Sequence, residues 1–225
     1  PVPIKPPMPG AKPVKRLLIT GAAGYLGRSL CEVLADDFEL LCLDVAEVPG
    51  AEQSIRGSVT DVALINNACS RVDAIVLAHM APNRSDAYAW PDVCMDINVK
   101  GVALALEAAA RHGIRRVVLI SSVSVVWGHV QEKIFLGRDL PPRPAEMYGM
   151  TKVLQEATAH LYHQMKGLEI AVLRPAYILR EDSLVNKYGE TSRTVTWQCI
   201  DPRDIARAVR GALRVDNLRY EVFYL

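Results

Sequence analysis

No apolar run in this chain reaches the roughly 18 residues that a bilayer-crossing helix needs, so no membrane segment is expected. A surplus of one charge sign is also missing. The 26 Lys+Arg and 25 Asp+Glu leave a formal net charge of +1, which excludes the basic field of a nucleic-acid binder and offers nothing to an acidic partner. There is no C-x-x-C pair: Cys31, Cys42, Cys69, Cys94 and Cys199 are odd in number and scattered. They read as small buried hydrophobes in a reduced, cytoplasmic setting rather than as a disulfide framework. His160 and His163 sit three apart on one helix without further ligands near them in sequence, so no metal site is expected. No internal repeat and no second domain are visible. The first 13 residues hold six prolines and no apolar core, which is not the pattern of a signal peptide. Residues 1–13 are expected to form an extended arm, and 14–225 one domain with enough apolar content for a sizeable core.

What the chain does have is a glycine-rich turn in a telling place. The apolar run Leu17-Leu18-Ile19 leads into Thr20-Gly21-Ala22-Ala23-Gly24-Tyr25-Leu26-Gly27, and the residues from Arg28 to Leu34 have helical spacing. Strand, turn and helix in that order suit a pyrophosphate, because a helix N-terminus presents unpaired N–H groups and a partial positive charge. Glycines let the backbone turn tightly and approach the anion. The second strand ends at Asp44, 23 residues after Gly21, near the distance at which an acid holds the adenosine ribose hydroxyls. A carboxylate there repels a 2′-phosphate, so NAD is the expected cofactor rather than NADP.

Further strands are expected over 38–44, 53–56, 73–78, 116–120, 169–173 and 220–224, with helices over 61–69, 92–112, 145–166 and 201–215 and an irregular polar stretch at 177–200. Such alternation predicts an α/β fold, a doubly wound parallel sheet of the Rossmann type with helices on both faces, as a single domain with a short C-terminal substrate-covering segment. Ligands bind such sheets beyond the carboxyl ends of the strands. The glycine turn, Asp44, His79, Ser121–Ser124 and the segment after Leu173 all collect there.

Tyr148 and Lys152 point to the same edge. Four residues apart, they share one helical face. A tyrosine is a poor base at neutral pH, and lowering its pKa by about three units takes roughly 4 kcal/mol of differential interaction. A neighbouring ammonium and an oxidised nicotinamide can supply that. A serine hydroxyl would orient the substrate oxygen while Tyr148 takes its proton.

Gly21/Gly24/Gly27, Asp44, Asn98-Val99-Lys100-Gly101, Ser121–Gly128 and Tyr148-x-x-x-Lys152 together resemble an extended-type short-chain dehydrogenase/reductase of the NAD-dependent epimerase/dehydratase family. The resemblance covers residues 15–225. The phrases Pro141–Gly149 and Thr196-Trp197 most resemble the uronate dehydrogenases, single-domain members that oxidise a hexuronic acid to its lactone with NAD. About 20 residues separate Tyr177 from Trp197, too few for the larger substrate lobe of nucleotide-sugar epimerases. The resemblance implies cofactor contacts from Gly21, Ala23, Gly24, Tyr25, Leu26, Gly27, Asp44, Asp61 (toward the adenine amine), Leu77, Ala78, His79, Asn98, Tyr148, Lys152 and Pro175. It also implies Arg193 as a clamp on a substrate carboxylate, and a homodimer formed through the helices near 92–112 and 145–166. One departure stands out: a gap-free count places the catalytic hydroxyl position on Val123, leaving Ser122 or Ser124 to serve.

The expected activity is thus NAD-dependent hydride transfer on a sugar or sugar acid, with Tyr148 as base, Lys152 as its helper, and Ser122 or Ser124 as orienter. Two alternatives compete: a nucleotide-sugar epimerase, dehydratase or reductase using the same machinery, and an NAD-sensing module without turnover, which Val123 favours and the intact Tyr148/Lys152 pair opposes.

Overall fold

The computed structural model describes residues 13–83, 89–137, 139–196 and 198–225; the proline arm, except Pro13, and Trp197 lie outside them. At the centre is β1 (Arg16–Thr20), which pairs in parallel with β2 (Glu39–Asp44) on one side and β4 (Ala74–Leu77) on the other. The sheet continues through β3 (Ser54–Arg56) beyond β2, and through β5 (Arg116–Ile120), β6 (Glu169–Arg174) and β9 (Tyr220–Tyr224) beyond β4. The order is β3-β2-β1-β4-β5-β6-β9, and every pairing is parallel. The chain reverses direction across the sheet between β1 and β4, which opens a crevice at the carboxyl ends of those two strands.

Helices cover both faces because the strands are apolar on both. Leu17, Ile19, Val76, Val118 and Leu173 turn toward α1 (Tyr25–Leu34) and α7 (Pro202–Arg214), which contribute Leu30, Leu34, Ile205 and Val209. Leu18, Ile75, Val117, Leu119 and Val172 turn toward α2 (Val62–Cys69), α4 (Gly101–Arg111) and α6 (Met147–Lys166). Alternate residues of one strand feed opposite layers, as the period of two requires. Each fully buried Leu or Ile contributes about 1.5–3 kcal/mol relative to exposure, so the sheet is a stiff platform for whatever sits at its edge. No described helix is long and apolar enough to cross a membrane.

Two local expectations need correction. The stretch read as one helix over 92–112 is helical from Pro91 to Arg111, but a π-helical segment at Met95–Lys100 separates the short α3 (Pro91–Cys94) from α4. After β5, Ser122 caps a 3-10 turn over Val123–Val126, which runs into α5 (Trp127–Gln131). The irregular polar stretch contains two two-residue strands, β7 (Tyr177–Ile178) and β8 (Cys199–Ile200), paired in parallel. Strands that short carry no periodicity for a sequence to display. His160 is exposed and His163 half-buried; their rings stack on each other and meet Tyr220 edge-on and tilted.

Candidate active site

The glycine turn is shaped by how closely it must pass β4. Gly21 has φ +72°, and a Cβ on it would lie 2.7 Å from the His79 Cα. A Cβ on Gly27 would lie 2.0 Å from the Gly21 carbonyl oxygen, so α1 can seat against the turn only if that position has no side chain. Gly24 is the N-cap of α1, and no side chain caps the helix. The first N–H groups of this ten-residue helix therefore have no side-chain partner at the cap, and such unpartnered groups suit a pyrophosphate. Asp44, at the end of β2, accepts the Ala23 N–H (3.0 Å) and the Ala46 N–H (2.9 Å). Each carboxylate oxygen keeps a further lone pair for a hydroxyl donor. The residues present thus fit a dinucleotide: the Gly21–Gly27 turn and α1 for its phosphates, Asp44 for a ribose.

Several other residues expected to contact the cofactor make structural bonds of their own. The Tyr25 hydroxyl donates to the Val185 carbonyl (2.5 Å) and accepts the Arg180 N–H (2.9 Å), tying the covering segment to the glycine turn. Leu26 is half-buried against the α1/α7 layer. Asp61 is the N-cap of α2, accepting the Leu64 N–H at 3.0 Å. Leu77 is buried and Ala78 half-buried; the Ala78 N–H donates to Thr20 Oγ1 (3.2 Å), which also meets His79 Nδ1 (2.8 Å). His79 is buried, and burial with the nearby Lys152 charge lowers its pKa to about 3, so it is a neutral ring at the floor. Asn98, buried in the π-helical segment, accepts the Ala81 N–H (2.6 Å) and donates to Thr151 (2.9 Å), and its carbonyl accepts Gln155 Nε2 (2.7 Å). It fastens the segment after β4 to α6. The Pro175 carbonyl accepts the Val123 N–H (3.1 Å).

Glu146 starts α6, accepting the Tyr148 N–H (2.6 Å) and the Gly149 N–H (2.8 Å); the helix begins at Met147, not Ala145, because Glu146 is extended. One turn later Lys152 is buried. It donates to the Ile120 carbonyl (2.8 Å), with Nζ 5.6 Å from the centroid of the half-exposed Tyr148 ring. Burial, aided by the nearby Lys187 charge, lowers its pKa to about 7, against an opposing pull from Glu156. Glu156 is itself held by a bidentate Arg174 (2.9 and 2.6 Å) and by Ser121 Oγ (2.5 Å). This buried network stiffens the floor below the pair.

Of the two candidate hydroxyls, Ser122 is buried and its Oγ accepts the Ser124 N–H at 3.1 Å. Ser124 is half-exposed, and its carbonyl abuts Gly149, where a Cβ would come within 2.6 Å. In a 3-10 turn the strict two-face alternation of a strand no longer applies, so Ser124 is not bound to the face opposite a strand residue. Arg193 is exposed. Sequence reasoning did not select Lys187 as a site residue, yet its Nζ lies 5.4 Å from the centroid of the Tyr148 ring. No periodicity or motif marks it; only its place in the covering segment pointed that way.

Comparison with known proteins agrees with this geometry. The chain is 30% identical over 217 residues to an L-arabinose 1-dehydrogenase (NAD(P)(+)) of Haloferax volcanii, covering 88% of this chain and 82% of that one. It is 30% identical over 217 residues to a uronate dehydrogenase of Pseudomonas syringae pv. tomato, covering 94% and 74%. A solved point mutant of a uronate dehydrogenase from Agrobacterium tumefaciens, complexed with NAD, superposes with a TM-score of 0.76 at 25% identity over 93% of this chain and 76% of that one. The profile of the NAD dependent epimerase/dehydratase family matches residues 17–191. The chain, with its glycine cradle and its Tyr148/Lys152 pair at the crevice of a doubly wound sheet, belongs to that family.

Proposed function

We propose that this enzyme removes hydride from a hydroxyl-bearing carbon of a sugar or sugar acid, with NAD as acceptor. The supporting observation is the placement of Tyr148 at the mouth and Lys152 beneath it, at the sheet edge where the glycine cradle opens. Bound NAD supplies the hydride-accepting carbon. Tyr148 takes the substrate hydroxyl proton as the C–H bond breaks, and the Lys152 ammonium favours the phenolate that does so. Asp44 and the α1 N-terminus hold the cofactor in register. A panel of glucuronate, galacturonate, L-arabinose, glucose and UDP-glucose with NAD, followed by absorbance of the reduced nicotinamide, tests this reading. A signal from a free sugar or sugar acid supports it; net conversion of UDP-glucose alone, without reduced nicotinamide, would favour an epimerase.

We assign the orienting hydroxyl to Ser124, because the Ser122 hydroxyl is buried and committed to the turn. Ser124→Ala is expected to lower kcat about 100-fold with little change in stability. Ser122→Ala should instead cost about 1 kcal/mol of stability by loss of a cap. Parallel kinetics and thermal melts separate the two, and the reverse pattern would exchange the assignments.

A homodimer through α4 and α6 is part of the same proposal. Along α6, Met147, Met150, Leu161 and Met165 are 36–62% exposed at helical spacing, an apolar stripe in want of cover. The native mass by light scattering should be twice 24.8 kDa, and Leu161→Glu should return it to the monomer value. All five cysteines are free, including Cys31 and Cys42 with sulfurs 3.5 Å apart, which supports work in a reducing compartment such as the cytoplasm.

A further inference from the structure

We infer that Lys187 is the charged contact through which this site selects an acid substrate over its neutral counterpart. The inference rests on the oxidoreductase reading above and sharpens it. Lys187 lies in the covering segment, on a tight reversal closed by the bridges Leu179↔Asn186 and Val185↔Thr191. The buried Asn186 sets that reversal: its amide donates to Tyr177 (2.8 Å) and Glu190 (3.1 Å), and its oxygen accepts the N–H groups of Tyr188 (2.9 Å) and Glu190 (3.0 Å). Tyr25 clamps the same segment through the Val185 carbonyl. The backbone that carries Lys187 is therefore held in place on both sides.

Its ammonium folds back over the site, 5.4 Å from the Tyr148 centroid and 4.9 Å from that of Tyr188. The residue as a whole is exposed, so a ligand can reach it, while its head is shielded enough for desolvation to lower its pKa. Among the described residues no carboxylate forms an ion pair with it within 4.0 Å. The nearby carboxylates have other work: Glu146 caps α6, and Glu156 is bound by Arg174 and Ser121. Lys152 and Lys187 thus both lie within 5.6 Å of the Tyr148 centroid, and Glu146, which acts on Lys187 through its charge, forms no ion pair with it among the described residues. A substrate carboxylate supplies the missing anion at a point where ion pairing is strengthened by reduced solvent. Arg193, the cation expected from sequence for this duty, is exposed, and the cations over the Tyr148 ring are Lys152 and Lys187.

The test compares glucuronate with glucose, which differ at carbon 6 by carboxylate against hydroxymethyl, in wild type, Lys187→Met and Lys187→Arg. Steady-state kinetics with NAD are run beside calorimetric titration of each sugar into the protein–NADH complex. Lys187→Met is expected to raise KM and weaken binding for glucuronate about 10–100-fold more than for glucose, any change in kcat that passes through Tyr148 being common to the two sugars. Lys187→Arg should recover most of the loss. An equal loss on both sugars, or a fall in kcat alone, would show that Lys187 acts on Tyr148 instead and would overturn the inference while leaving the oxidoreductase reading intact. No change on either sugar, or a wild type without preference for glucuronate, would overturn it as well. If the wild type binds NADH yet oxidises no sugar or sugar acid, the underlying reading fails too.

Discussion

Replacing Tyr148 with phenylalanine is expected to lower kcat about 1,000-fold while leaving the NAD dissociation constant within about threefold. The asymmetry follows from where the groups lie. The proposed cofactor cradle is the backbone of the Gly21–Gly27 turn and of the uncapped α1 N-terminus together with the Asp44 carboxylate at the end of β2, and none of these groups is the Tyr148 hydroxyl. Neither His79 nor Lys152 is placed to replace it in proton removal. His79 is buried with its pKa pushed down to about 3, and Lys152 is committed to the Ile120 carbonyl. Stopped-flow turnover paired with nicotinamide-fluorescence titration measures both quantities on one sample. Loss of both together would mean that Tyr148 holds the cofactor rather than the proton.

Lys152→Met carries the second large effect, and it runs in opposite directions on activity and stability. Turnover should fall about 1,000-fold, because the phenolate of Tyr148 loses its ammonium. The fold should become more stable by about 1–2 kcal/mol near neutral pH, roughly 3–6 °C in Tm for a domain of this size. Burial lowers the pKa of Lys152 from 10.5 to about 7, so the native state holds its proton less readily than the unfolded chain. Below about pH 7 both states are protonated and the full burden of a desolvated ammonium is present. Between about 7 and 10.5 the native lysine has given up its proton while the unfolded one has not, and the burden is relieved as pH rises. The stability gap between Lys152→Met and wild type should therefore be widest at pH 6–7 and shrink toward pH 10. Glu156 is not orphaned by the change, since Arg174 and Ser121 still hold it. The Ile120 carbonyl does lose its donor, which keeps the expected gain modest. A mutant less stable than wild type at pH 7 would contradict a charge held at the expense of stability.

What was legible in the sequence was local and periodic. Strands apolar on both faces announced a covered parallel sheet, and all seven strands of the main sheet lie where runs such as Leu17–Ile19 and Val117–Ile120 placed them. The glycine spacing, Asp44 and the four-residue step from Tyr148 to Lys152 were readable because each depends on neighbours in sequence. What escaped depends on distant partners. The π-helical turn at Met95–Lys100 frees a carbonyl for Gln155, 57 residues away. The covering segment owes its course to a Tyr25 hydroxyl bonded 155 and 160 residues downstream. The place of Lys187 is set by the hydrogen bonds of Asn186, which have no period and no motif. Ser122 and Ser124 look alike in sequence; the 3-10 turn that gives them different burial has an Oγ accepting an N–H two residues on.

Direct transfer of hydride from substrate carbon to cofactor is the claim on which the rest depends. Glucuronate deuterated at carbon 1, incubated with the full chain and unlabelled NAD, tests it by mass spectrometry of the recovered nicotinamide and sugar. The account predicts one deuterium in the reduced nicotinamide and an oxidised sugar acid without it, with both products absent from Tyr148→Phe. Label that stays on or returns to the sugar, or reduced nicotinamide carrying solvent hydrogen instead, would contradict it.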